Sequence, residues 1–189
     1  MKRKYEMIHV KMYQQPFMVA DLIGHNEIKE DLLTALESMP NNNVDEENDG
    51  AHNLITKCDW YTQDGMRQSG KDPRYWEILF PHLHKLVLTC MNKVGVDYFQ
   101  YDVPWFQQYY EKDCHDWHMH PGSMYNVVYY LELPEDGPQT IIRNPIIPEE
   151  TMEVGAKEGQ VAIFPAILKH KSPPSNSKGR KSIIATNIN

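Results

Sequence analysis

The spacing of apolar positions changes partway along this chain. Ile28, Leu32, Ala35 and Leu36 recur every three or four residues, which predicts a helix over about 27–39 with Asn26 as its cap. Asp72-Pro73 supplies a cap and first-turn proline for a second helix reaching about Asn92. Its buried stripe is Ile78, Leu79, Leu83, Leu86, Val87, Cys90 and Met91. Pro81 lies inside that pattern and is expected to kink or split it. Residues 5–20 alternate loosely (Tyr5, Met7, His9, then Phe17, Val19) and read as one or two strands. The polar stretch 40–51 reads as a loop.

From Val96 onward short β-rich runs take over, at 96–102, 105–112, 125–133, 139–143, 159–164 and 180–187, separated by Pro, Gly, Asp and Asn. Many short strands with turn punctuation suggest a sandwich or jelly roll. Helices first and strands afterwards fit an α+β layout in which the helices brace one outer sheet. No internal repeat is visible. The chain of 189 residues is expected to be a single domain, with 1–95 as a helical and strand flank and 96–189 as a jelly-roll core.

Composition narrows the partners. No apolar run approaches the ~18 residues that cross a bilayer, and Glu6 and His9 interrupt the segment after the basic start, so no signal peptide forms. The expectation is a cytoplasmic protein with no membrane partner. A net charge of −7 argues against a nucleic-acid surface. Cys58, Cys90 and Cys114 are widely spaced and contain no CxxC, so neither disulfides nor a thiolate zinc site is indicated. After Glu158 no acidic side chain follows, while Lys169, Lys171, Lys178, Arg180 and Lys181 do. These are solvated positive loops, or one of them faces an anion in a pocket.

The histidines cluster. His115, His118 and His120 fall within six residues, in Cys-His-Asp-Trp-His-Met-His-Pro-Gly. In an extended strand residues i and i+2 share a face, so His118 and His120 can present two imidazoles to one metal ion. Pro121-Gly122 ends that strand and leaves the pair at a barrel mouth. An HxH pair alone also fits histidines satisfied by ordinary packing. Downstream, Gly159 to Pro165 reads as a strand, His170 follows it, and Arg180 to Thr186 forms the last strand after a turn-rich loop. Arg180 and Ser182 share a strand face there, placed to grip one carboxylate together. Ile183, Ile184 and Ala185 mark that strand as buried on both sides, where a cation needs an anionic partner.

Taken in order, these motifs resemble the iron(II)- and 2-oxoglutarate-dependent dioxygenases, in their prolyl-hydroxylase-like branch. They are especially similar to a compact group common in phages and marine bacteria. That group carries an HxHPGS segment followed by a Tyr-Tyr-Leu strand, here His118 to Ser123 and Tyr129-Tyr130-Leu131. The resemblance covers roughly 105–187 and implies a double-stranded β-helix core with the N-terminal helices packed outside. It implies His118 and His170 as iron ligands, with Arg180 and Ser182 binding the far carboxylate of 2-oxoglutarate. Tyr109, nine residues before the first ligand, and Asn126, on the strand after the ligand turn, are further candidates for the cosubstrate pocket. The departure lies at the middle ligand, where His120 stands in place of the usual acidic residue. Asp116 is a candidate for orienting a ligand imidazole from behind.

The implied activity is hydroxylation of an unactivated C–H bond, with succinate and carbon dioxide as coproducts. Its cofactor is Fe(II), its cosubstrate the small molecule 2-oxoglutarate, and its substrate a prolyl residue in a peptide or protein, or an amino acid. The location would be the host cytoplasm if a phage encodes it. Two other readings stay open at this point. One is a three-histidine cupin-type dioxygenase or isomerase without 2-oxoglutarate, although no Glu lies in 121–125 as cupins usually require. The other is a non-enzymatic β-sandwich whose aromatics Trp105, Phe106, Tyr109, Tyr110 and Trp117 line an interface. The 40–51 stretch and Asp59-Trp60-Tyr61 are candidate substrate-contact segments.

Overall fold

A computed structural model describes residues 16–48 and 51–189. The strand expected from residue 5 therefore lies largely outside the described residues. What remains of it is β1 (Met18–Asp21), which leads into α1 (His25–Ser38). The helix starts earlier than Asn26 can cap it. Gly24, at φ 90°, turns the chain directly from strand into helix, and a Cβ there would meet the His82 ring at 2.7 Å. The stretch expected as a loop is a hairpin instead, β2 (Asn42–Asn48) paired antiparallel with β3 (Ala51–Cys58). As an edge strand β2 exposes Asp45, Glu46 and Glu47 and buries Val44, so its alternation is nearly invisible in the sequence.

A 3-10 turn (Trp60–Thr62) and α2 (Gln63–Ser69) precede α3 (Arg74–Lys93). That helix runs through Pro81 without dividing. Its buried face is Tyr75, Trp76, Leu79, Leu83, Val87, Cys90 and Met91, with Ile78 and Leu86 half-buried at the margin. The run 96–102 forms no strand; Tyr101 makes a single bridge to Ile188. The remaining strands are β4 (Trp105–Tyr109), β5 (His115–His118), β6 (Tyr125–Glu132), β7 (Ile141–Arg143), β8 (Thr151–Glu153), β9 (Gln160–Pro165), β10 (His170–Ser172) and β11 (Lys181–Ile188).

They assemble into two sheets, both antiparallel in every pairing. The larger has the order β1-β9-β6-β11-β4-β3-β2 and the smaller β5-β10-β7-β8. The large sheet draws strands from both halves of the chain. Its central strands are buried on both faces because each face has its own cover. Val127, Tyr129, Leu131, Ile184 and Ile188 pack against α1 and α3, while Val128, Tyr130, Ile183 and Ala185 point the other way into a second core shared with Ile142 of the small sheet. This is an α+β, jelly-roll-like arrangement. Cys58, Cys90 and Cys114 are free and buried. Among the described residues no helix is long and apolar enough to cross a membrane.

Candidate metal centre

The small sheet brings the distant histidines together by backbone pairing. β10 lies antiparallel to β5 with His170 directly opposite His118. His120 sits two residues past the end of β5, where its N–H donates to Ala166 O. Pro121-Gly122 then turns the chain, Gly122 at φ 100°. The ligating atoms of His118, His120 and His170 all lie within 4.8 Å of one another, and no other such cluster of three occurs among the described residues.

Each ring is held in place. His118 donates from Nδ1 to Asp116 O at 2.7 Å, and His170 from Nδ1 to Leu168 O at 3.0 Å. Both bonds put the proton on Nδ1 and leave the Nε2 lone pair facing the cluster, the tautomer a metal requires. The orienting group behind His118 is therefore the Asp116 carbonyl; its carboxylate instead accepts from Trp117 N. His115 stacks on His118 at 3.6 Å, Trp105 on His120 at 5.4 Å, and Phe164 stands edge-on to His170 at 5.0 Å.

Burial among these rings makes protonation costly. Desolvation pushes the His118 pKa down to about 4 and lowers those of His120 and His170 as well. The triad is thus neutral at pH 7 with its lone pairs free, which fits a divalent transition metal and suits iron, zinc or manganese. No carboxylate joins it, so a bound dication keeps its whole charge toward further ligands.

Behind the triad an inner chamber runs between the sheets, lined by Gln107, Tyr109, Asn126, Val128, Thr140, Ser172 and Lys181 among others. In front lies a wider vestibule of about 380 Å³, bounded by Trp60, Gln63, Arg67, Asp102, Trp105 and Asn187. His115, His118 and His120 line both spaces, so the triad stands at their junction. Of the two expected substrate-contact segments, Trp60 is in the vestibule and packs on His115 at 4.9 Å. None of the described residues of the β2–β3 hairpin lines it.

The cation in the chamber is Lys181, and the expectation for Arg180 needs correction. Along β11 the alternation puts Lys181, Ile183 and Ala185 on the inner face, while Ser182, and Arg180 just before the strand, face away from the chamber, Arg180 toward Glu37 of α1. Arg180 and Ser182 do grip one carboxylate together, but it is Glu132. Arg180 donates from Nε and Nη2 at 2.7 and 3.1 Å, and Ser182 Oγ donates at 2.5 Å. Glu37 of α1 lies 3.9 Å from the same guanidinium. Arg180→Ala is expected to cost about 2–3 kcal/mol of stability, because it strands a largely buried carboxylate. Metal affinity should not change, and denaturant unfolding beside a Mn(II) titration checks both.

Lys181 is 1% exposed. Its ammonium donates to Pro138 O and Ser172 Oγ, both at 3.0 Å, and lies 5.4 Å from the Tyr109 ring. Among the described residues no carboxylate pairs with it. Desolvation pulls its pKa down to about 7. Tyr109 and Asn126 both line the chamber, and the Asn126 amide makes no hydrogen bond. Lys181, Thr140, Ser172 and His115 were not expected there. The run of basic residues after Glu158 pointed toward the first of these without selecting it.

No family model matches the sequence, and none of the curated proteins is similar to it. Solved structures are. A viral collagen prolyl hydroxylase from Paramecium bursaria Chlorella virus-1, in complex with 2OG, superposes with TM-score 0.59 at 15% identity, covering 91% of this chain and 94% of the other. A Trichoplax adhaerens prolyl hydroxylase bound to a hypoxia-inducible-factor peptide gives 0.61 at 13%, covering 91% and 82%. An oxidoreductase of the 2OG-Fe(II) oxygenase family from Burkholderia pseudomallei gives 0.60 at 10%, covering 91% and 84%. At these identities the likeness establishes the fold: this chain has the architecture of the 2OG-Fe(II) oxygenases.

Proposed function

We propose that the protein is an iron(II)- and 2-oxoglutarate-dependent hydroxylase built on a double-stranded β-helix. One observation carries the reading: a neutral three-histidine cluster and a buried lysine without an acidic partner line a single chamber. A ligand that suits both is a small dianion with a metal-chelating end and a far carboxylate, and 2-oxoglutarate is such a molecule. His118, His120 and His170 hold the metal, and Lys181 receives the far carboxylate with Thr140, Ser172 and Tyr109 around it. Iron with its cosubstrate and dioxygen, when bound, would supply the oxidising chemistry that turns C–H into C–OH, one oxygen atom entering that product and the other the succinate released with carbon dioxide.

The protein's own part is to bind, orient and exclude water. No acid lines the chamber, so nothing repels an incoming dianion. The metal (+2) and Lys181 (+1) outweigh its two charges by one, a balance that favours retention. Trp60 and Trp105 wall the vestibule, where an amino-acid side chain or prolyl ring approaches the triad. The prolyl hydroxylases among the structural neighbours support a peptide as the first substrate to try.

The test is conversion of 2-oxoglutarate to succinate by Fe(II)-loaded protein with proline-containing peptides. The expected result is turnover that depends on both metal and peptide, against a slow uncoupled background. The all-histidine triad also suits a dioxygenase that uses no oxo acid. Metal-dependent oxygen uptake indifferent to 2-oxoglutarate would decide for that alternative.

A further inference from the structure

Asn126 and Asn187 stand opposite each other across the β6–β11 pair. They are 2% and 7% exposed. Three of their four side-chain polar atoms, Asn126 Nδ2 and Oδ1 and Asn187 Oδ1, meet no hydrogen-bond partner. Asn126 lines the inner chamber and Asn187 the vestibule, so the two amides flank the triad. Buried carboxamides left unpaired weaken a fold, and valine at 126 would suit a β-strand better. Among the described residues nothing uses this one donor, Asn126 Nδ2, or the two acceptor oxygens. A group that enters the chamber can.

The fourth polar atom explains what Asn187 does. Its Nδ2 lies 3.4 Å from His120 Nδ1. A half-turn of the carboxamide replaces that nitrogen with Oδ1, which then accepts from Nδ1–H and leaves His120 Nε2 for the metal. His118 and His170 already have carbonyls in this role. Asn187 completes the set.

Lys181 answers only one end of a dianion. The other end lies beside the triad, where three neutral imidazoles repel no anion and donate nothing to it. We infer that Asn126 donates to the carboxylate next to the keto carbon of a bound 2-oxo acid, and that Asn187 is the positioning residue that orients His120 beside it. This rests on the oxo-acid reading above. Amides suit the task because they donate N–H without adding charge, so the acid is not held too tightly to exchange. The ligand class follows as 2-oxo acids carrying a second, distal carboxylate.

The experiment titrates 2-oxoglutarate calorimetrically into Mn(II)-loaded wild-type, Asn126→Val and Asn187→Leu proteins. Mn(II) affinities and melting temperatures of the ligand-free proteins are measured in parallel. Asn126→Val is expected to weaken 2-oxoglutarate about tenfold or more, the loss of one hydrogen bond to a charged acceptor. It should leave Mn(II) affinity unchanged and melt no lower than wild type. Asn187→Leu is expected to weaken Mn(II) itself, on the order of tenfold or more, as loss of an orienting partner does.

Wild-type affinity in Asn126→Val would overturn the inference while leaving the hydroxylase reading intact. So would a lower melting temperature with Mn(II) weakened, since the amide would then be structural. A wild-type protein that holds Mn(II) but ignores 2-oxoglutarate overturns both.

Discussion

Lys181→Met is expected to weaken 2-oxoglutarate binding severely and at the same time to make the ligand-free protein more stable. The two effects have one origin. A lysine buried without a carboxylate pays desolvation for its charge, and only a bound anion repays it. In the folded protein its pKa falls from 10.5 to about 7. Between those values the unfolded chain holds a proton that the folded chain releases, so stability rises with pH through that window. The cost of the lysine is therefore complete below pH 7 and fades toward pH 10. Methionine removes it, with a gain on the order of a few kcal/mol at pH 6.5, less what the bonds to Pro138 and Ser172 contributed. Melting curves at pH 6.5 and pH 10 should show a variant advantage at the first that shrinks at the second. For binding, loss of the ammonium should lower 2-oxoglutarate affinity by about a hundredfold or more. In the wild type, affinity should itself fall as pH rises above 7, by about tenfold per unit, because the free lysine must first take up a proton. Calorimetry in buffers of different ionisation enthalpy would register that uptake. Equal affinity at pH 6.5 and 8.5 in both proteins would remove Lys181 from the cosubstrate site.

His170→Ala should eliminate metal binding and leave the fold in place. β10 is held to β5 and β7 through backbone hydrogen bonds that alanine retains. The lost imidazole sits against Phe164 in a cavity that also opens toward the chamber. Mn(II) or Fe(II) affinity is expected to drop by several orders of magnitude, since two imidazoles remain of three donors. A melting-temperature rise on adding Mn(II) should be present in the wild type and absent in the variant. The pH dependence is distinctive. His118 has a pKa of about 4, and His120 and His170 also lie below the usual imidazole range, so protons compete poorly with the metal. Affinity should persist to lower pH than at a site built from exposed histidines. The ligand-free protein should lose stability as pH falls from 6.5 toward 4, because the unfolded chain then takes up protons that the buried rings refuse. Unchanged metal affinity in His170→Ala would exclude that residue from the ligand set.

How far the sequence could be read depended on whether a signal was local. His118 and His120 were legible because two-residue spacing in an extended chain fixes which way side chains project. α1 and α3 were legible because a helix with one covered face must repeat its apolar residues every three or four positions. The hairpin β2–β3 was not, since an edge strand of Asn, Asp and Glu gains its order from the neighbour it pairs with. Pro81 was expected to disrupt α3, yet the helix continues through it under tertiary packing against α1 and the large sheet. The choice between Arg180 and Lys181 turned on strand parity. Ile183-Ile184-Ala185 is apolar at every position because both faces of β11 are covered, so no alternation was left to show which cation faced inward.

The order of histidines, turns and apolar runs was enough to determine the kind of protein this is: helices bracing antiparallel sheets, with imidazoles from two separated segments available to one ion. Those properties follow from spacing along the backbone, which the chain carries wherever it folds. Which cation faces the chamber was decided only when β11 was seated between β4 and β6. That register turned Lys181 into the chamber and Arg180 out toward Glu132, and it set Asn187 opposite Asn126. A shift of one residue reverses every side chain on a strand, and pairing with neighbouring strands, not the order of residues, selects between the two.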